Sequence, residues 1–212
     1  MKNENQTAFC KCEDIGRSLL SEFLSTQNTS NIEYTSNIFN VVDVYFMLND
    51  SKAVGEIKCR DIKYKNYSTH LIEKKKLDSI IKEGRRNKVQ AGFYFNFFGY
   101  DWLYIYDVLD ILKYGIGNTR NCNKTTAIYT SNIDKRCIDI PTRYATKIYK
   151  YNDGWFRVKD EYIALIDTIN RTTKELDTLA PTLLKNGIAS EFAIDMIDIL
   201  NNLKKQTKYE YN

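Results

Sequence analysis

Residues 39–60 constrain the fold more than any other stretch of the chain. Residues 39–48, FNVVDVYFML, are β-branched and aromatic and read as a buried strand. Residues 52–60, KAVGEIKCR, read as a second strand, and Asn49-Asp50-Ser51 between them is a turn signal. Two such runs around so short a turn predict a β-hairpin. With the turn centred near Asp50, facing residues have numbers that sum to about 99 or 100. Asp43 then lies across from Glu56 or Ile57, and directly opposed Cβ atoms are ~4.5–5.5 Å apart.

That register gathers charge where the surrounding residues are apolar. Asp43 sits inside VVDVYF and Glu56 inside AVGEIKC. Glu56 and Lys58 are two apart, so their side chains share one face of the strand. Burying two carboxylates without compensation is costly. A divalent cation is the natural compensator, and Mg²⁺ is a hard cation that takes carboxylate oxygens, keeps several waters and accepts substrate phosphate oxygens. The Ile57 backbone carbonyl can add another oxygen. Lys58 beside such a cation has a lowered pKa and can position or deprotonate a water. That set of groups is suited to hydrolysis of a phosphodiester.

Composition removes several competing chemistries. The 212 residues include a single histidine, His70, which excludes zinc sites built on two or more histidines. The cysteines, Cys10, Cys12, Cys59, Cys122 and Cys137, contain no CxxC pair, so a zinc ribbon is not expected. No run of about 20 apolar residues exists and the first residues lack a signal-peptide core, so no membrane association and a reducing cytoplasm are the expectations. The net charge of +4 is unevenly spread: −3 over residues 1–49, +6 over 50–90, +4 over 91–159 and −3 over 160–212. A polyanion is drawn to the middle of such a chain and not to its ends.

Around the hairpin, residues 13–26 show the apolar spacing of a helix, through Ile15, Leu19, Leu20, Phe23 and Leu24. Residues 31–35 are expected to form a short strand, 71–86 a basic helix, and 91–98 and 102–106 two further strands around Gly99-Tyr100-Asp101. Residues 115–136 read as a long loop or ragged hairpin, and 137–150 as a return to strand with Pro141 at an edge. From residue 160 the character is helical, with Pro181, Asn186-Gly187 and Ser190 as boundary signals. Two domains follow: an α/β domain over 1–159 and a helical extension over 160–212.

Asp43, then Glu56-Ile57-Lys58, in the element order helix, three strands, helix, strand over residues 13–98, resembles the PD-(D/E)xK nuclease superfamily. The position before Asp43 departs from the motif, being Val42 and not proline. The resemblance implies a restriction-endonuclease-like αβββαβ core with a mixed central sheet flanked by helices. It also implies Mg²⁺-dependent cleavage of DNA, with Mn²⁺ able to substitute. Asp43, Glu56 and Ile57 would hold the metal, Lys58 would be catalytic, and an acid from the first helix would assist. Glu22 is the candidate for that acid, and Glu13 a weaker one.

Phosphate contacts are expected from the basic helix and its flank, through Lys63, Lys65, Lys74, Lys76, Arg85, Arg86 and Lys88. Gln90 and Tyr94 fit the QxxxY signature of RecB-like exonucleases, but the phenylalanines around them argue for a strand where that branch has a helix. The aromatic residues from Tyr94 to Tyr106, Trp102 included, are expected in the core. His70 is expected at the surface or as a helix cap. The apolar stripes of 160–205 need a partner, either the same chain or a second copy in a homodimer. Endonuclease activity is the leading expectation. The alternatives are a RecB-like exonuclease and a non-cleaving nucleic-acid-binding module that kept the fold.

Overall fold

The computed structural model describes residues 4–35, 42–60, 67–86, 88–123, 132–151, 154–159, 171, 172 and 174. The chain divides into two compact units, Met1–Trp155 and Phe156–Asn212. Of the second unit, residues 171, 172 and 174 are helical. The helices expected between 160 and 205, and the dimer surface assigned to them, otherwise lie outside the described residues.

The first unit is a mixed α/β structure. Helix α1 (Glu4–Ser25) buries Leu19, Leu20, Phe23 and Leu24, the stripe its spacing predicts. Its last carbonyls are taken up locally: the Ser25 hydroxyl donates to Glu22 O at 2.7 Å and the Thr26 hydroxyl to Phe23 O at 2.7 Å. Strand β1 (Thr29–Tyr34) leads to the hairpin of β2 (Val44–Leu48) and β3 (Ser51–Arg60). Asn49 (φ 47°) and Asp50 (φ 62°) are both left-handed, which is what a two-residue type I′ turn demands. The pairing runs from Leu48↔Ser51 to Val44↔Gly55, so the register sum is 99.

The chain continues through β4 (Thr69–Glu73), α2 (Lys74–Arg86), β5 (Ala91–Phe98), β6 (Trp102–Asp107), α3 (Val108–Tyr114), β7 (Ile116–Asn123), β8 (Asn132–Pro141), β9 (Thr146–Tyr151) and β10 (Gly154–Arg157). One sheet has the order β1-β2-β3-β5-β6-β9-β10, and a smaller one has β4-β8-β7. Among the described residues of the large sheet, β3 and β5 pair in parallel, joined by the crossover that contains α2, and the pairs β1–β2, β2–β3, β5–β6 and β6–β9 are antiparallel.

The two faces of the large sheet differ in chemistry. On one face Val44, Phe46, Ala53, Phe95, Phe97, Leu103 and Ile148 meet the α1 stripe in a single apolar cluster. Gly16 of α1 lies so close to Ile57 and Cys59 that an added Cβ would be 3.0 Å from Cys59 Cβ. The other face carries the alternate residues. Register sets Glu56 beside Tyr94, Lys58 beside Asn96 and Arg60 beside Phe98. Helix α2 covers part of this face through Leu77 and Ile80.

Several expectations need correction. The basic helix begins at Lys74 and not at Leu71, because residues 69–73 form β4, paired with β8 from Thr69↔Pro141 to Glu73↔Cys137. Residues 116–123 and 132–141 pair antiparallel, which is the hairpin alternative and not the long loop. Helix α3 was not foreseen, although Asp107 caps it by accepting the Leu109 N–H at 2.7 Å. His70 is in β4 and buried, neither a surface group nor a helix cap. Pro141 falls beyond the last β7–β8 pair at Asp139, so its missing N–H breaks no ladder on that side. Trp102, Tyr94, Tyr104 and Tyr106 are core residues, as expected, whereas Tyr100 in the turn is exposed.

Candidate active site

Asp43 sits one residue before β2, where the ladder ends. Its N–H donates to Gly55 O at 3.0 Å, and its carbonyl accepts the Thr35 N–H at 3.0 Å. These bonds fix the backbone, and the carboxylate then reaches across to accept the Ile57 N–H at 2.8 Å. Asp43 shares the face of Tyr45 and Glu56, in keeping with strand alternation.

The Glu56 carboxyl lies beside that of Asp43, and its pKa is pushed up to about 8, first by burial and then by the neighbouring Asp43 charge. Opposing this, Lys76 from the first turn of α2 places its Nζ 2.9 Å from Glu56 Oε1 and 3.1 Å from Oε2. Burial acts to lower the Lys76 pKa, but the adjacent Glu56 charge outweighs it and the net direction is upward. A second polar tie docks the same helix: the Tyr45 hydroxyl donates to Glu83 Oε1 at 2.7 Å. The two ties, one at each end of α2, hold Lys76 over the acids.

Lys58 follows Glu56 on the same face. Its pKa is lowered, first by burial and then by Arg60, while Glu73 and Glu56 act in the other direction. Among the described residues it closes no ion pair. Beside it in register is Asn96, which is 0% exposed, with neither amide atom hydrogen-bonded. Glu73, at the end of β4, is 2.8 Å from Lys135 of β8. The Tyr94 hydroxyl donates to Leu71 O at 3.0 Å, which ties β5 to β4 over this face.

Asp43, Glu56 and Lys58 therefore occupy one neighbourhood. Glu22 is not brought to it. It lies on α1, which covers the opposite face of the sheet, and its carboxylate is 2.7 Å from Lys150 Nζ. Glu13 is on that helix as well. Of the phosphate candidates, Lys63 and Lys65 lie outside the described residues. Lys74 is exposed and paired with Asp78 at 2.7 Å. Arg85 and Arg86 are exposed in the last turn of α2, roughly 14 Å along the helix axis from Lys76. Gln90 is exposed just before β5, so only Tyr94 of the QxxxY pair lies beside Glu56.

No family model, no curated protein and no solved structure matches the chain.

Among the described residues, no group of three or more His, Cys, Asp or Glu side chains is placed to hold a metal ion. The available donor set is two carboxylates plus backbone oxygen. Lys76 was expected to contact phosphate; its ion pair with Glu56 was not anticipated. Its signal was faint, because it stands in the run Lys74-Lys75-Lys76, which reads as a solvated face. The apolar spacing of Leu77, Ile80 and Ile81 does put it at the border of the buried stripe.

Proposed function

We propose that this protein is a Mg²⁺-dependent nuclease of the PD-(D/E)xK type, cutting DNA internally. The observation that carries the reading is the pairing of Asp43 and Glu56. Two neighbouring carboxyl groups, one of them buried and with its pKa raised to about 8 by burial and by the other's charge, repel each other whenever both are ionised, and a cation relieves that repulsion. Hard oxygen donors in that state fit a small divalent cation, and Mg²⁺ tolerates a site with few protein ligands because it keeps waters and takes phosphate oxygens. The order β1-β2-β3-β5 with β3 and β5 parallel, and the acids on β2 and β3, support a restriction-endonuclease-like core.

In this reading Asp43 and Glu56 hold the metal with the Ile57 carbonyl. When bound, magnesium supplies Lewis-acid polarisation of a phosphoryl oxygen and of water. The chain's own contributions are positional and electrostatic. The Ile57 N–H orients Asp43, the hairpin fixes Glu56, and Lys58 orients the attacking water and stabilises charge developing on the phosphate. Burial lowers the Lys58 pKa, the direction that favours proton transfer near neutrality. The basic α2 and its flank supply attraction for the nucleic-acid backbone. Cys12, Cys59 and Cys137 are thiols, in keeping with a reducing cytoplasm, and no described helix is long and apolar enough to cross a membrane.

A second reading, a non-cleaving nucleic-acid-binding module, is favoured by one observation: the Lys76 ammonium already engages both oxygens of Glu56. Incubating supercoiled plasmid with the protein in Mg²⁺ or Mn²⁺ separates the two. Nicked and linear products are expected from wild type, with Lys58→Ala slower by roughly 100-fold or more. DNA binding without cutting in either metal would replace the nuclease reading with the second one. Degradation of linear DNA alone would make the protein an exonuclease.

A further inference from the structure

We infer that Lys76 is a built-in counter-cation of the Asp43–Glu56 pair, which competes with the divalent ion and is released by it. The inference rests on the metal-binding reading above. Three features of the structure lead to it.

The first is occupancy. The Lys76 Nζ contacts both Glu56 oxygens at 2.9 and 3.1 Å, so it takes the lone pairs that a cation would use. When both acids are ionised, a monovalent ammonium offsets one of them, whereas a divalent ion matches the pair.

The second is an open way out. The Glu56 side chain is 10% exposed, but that of Lys76 is 36% exposed. A lysine stem has four rotatable carbons and carries a point charge with no fixed fork geometry. Lys76 can therefore leave without moving α2, which stays docked through Leu77, Ile80 and the Tyr45–Glu83 bond.

The third is a neighbouring acid. Glu73 attracts Lys76 electrostatically, and it is shared, since Lys135 already stands 2.8 Å from its carboxylate. Lys74 and Lys75 have no such role: Lys74 is committed to Asp78 and Lys75 is exposed. Once displaced, the Lys76 ammonium borders the space where a phosphate held by the site would sit. The same side chain thus holds the acids together in the free protein and becomes a phosphate contact in the loaded one.

The experiment is a Mn²⁺ titration of the whole protein without DNA, reading free Mn²⁺ by electron paramagnetic resonance. Lys76→Met is expected to bind Mn²⁺ about tenfold or more tightly than wild type, a ratio equivalent to about 1.4 kcal/mol. Lys75→Met is expected to match wild type. Lys76→Gln serves as the neutral variant if Lys76→Met does not fold. A folded neutral variant with equal or weaker Mn²⁺ affinity overturns the inference, as does the absence of Mn²⁺ binding in both proteins. Tighter binding with no plasmid cleavage would uphold the inference and sink the nuclease reading. Cleavage by wild type with unchanged Mn²⁺ affinity in the variant would do the opposite.

Discussion

The Asp43 carboxylate accepts the Ile57 N–H at 2.8 Å, so the acid that closes the open end of the hairpin is the one that presses against Glu56. The residue serves two ends that pull apart. The hydrogen bond stabilises the hairpin by about 1 kcal/mol, while the carboxylate's charge works against Glu56. Asp43→Asn keeps an acceptor for Ile57 and removes the charge. The variant should melt above wild type at pH 8 in the absence of metal, yet bind Mn²⁺ weaker by roughly tenfold or more. A variant that melts lower, or that binds Mn²⁺ as wild type does, would show that Asp43 is not a charged ligand.

Glu56 ties stability to pH. Its folded pKa is raised from 4.5 to about 8, so the folded state holds a proton that the unfolded chain releases. The stabilisation from that proton is fully present below pH ~4.5 and is lost as pH rises through about 8. Thermal melts of metal-free wild type should therefore fall between pH 5 and pH 9, and Mg²⁺ should restore stability at the alkaline end by binding the folded state. Glu56→Gln should flatten the slope. An identical slope in that variant would assign the pH dependence to another group.

His70 should be silent. It is buried among Phe98, Tyr104 and Tyr106, with ring centroids 4.7, 4.5 and 5.8 Å away, and its Nδ1 lies 2.7 Å from the Tyr106 hydroxyl. Burial, then Arg60 and Lys147, lower its pKa to about 3. As the single histidine of the chain, it gives one set of imidazole signals in NMR. Those signals should not titrate between pH 8 and pH 5. Stability from this group is present above the unfolded value of 6.5 and is lost as pH falls toward 3. A shift with a midpoint near 6.5 would place the ring in solvent.

Asn96 carries a cost that function can justify. Its amide is fully buried with no partner at either atom, and an unsatisfied buried polar group costs about 1–3 kcal/mol. Asn96→Leu, apolar and close in size, should raise the free energy of unfolding by about 1–2 kcal/mol in urea. If activity falls in the same variant, the amide is retained for its neighbour Lys58. A drop in stability would mean that ordered water already satisfies the group.

The hairpin was legible because its determinants are local. Asn49 and Asp50 tolerate the left-handed conformation that a tight turn requires, and the turn then sets every pairing back to Val44↔Gly55. The start of α2 was not legible. Leu71 and Ile72 continue the apolar spacing of Leu77 and Ile80, and only pairing with Ile138 and Asp139, more than sixty residues away, makes them a strand. Helix α3 was hidden because Leu109 and Leu112 are exposed, which erases the periodic stripe that marks an amphipathic helix. The place of Glu22 depends on which side of the sheet α1 covers. That choice is made by packing against Phe95 and Phe97, and nothing in residues 13–26 records it. The pairing of Lys76 with Glu56 was hidden for a similar reason: the rotation of α2 over the sheet is fixed by Tyr45–Glu83 and by buried leucine and isoleucine, not by the lysine run.

Strand β4 has a consequence for the growing chain. Among the described strands its sheet neighbour is β8, so the residues leading into α2 join that ladder once position 141 has left the ribosome. The hairpin acids, at positions 43 and 56, are synthesised well before that. The hairpin acids thus precede, along the chain, the strand that completes the scaffold under their helical lysine.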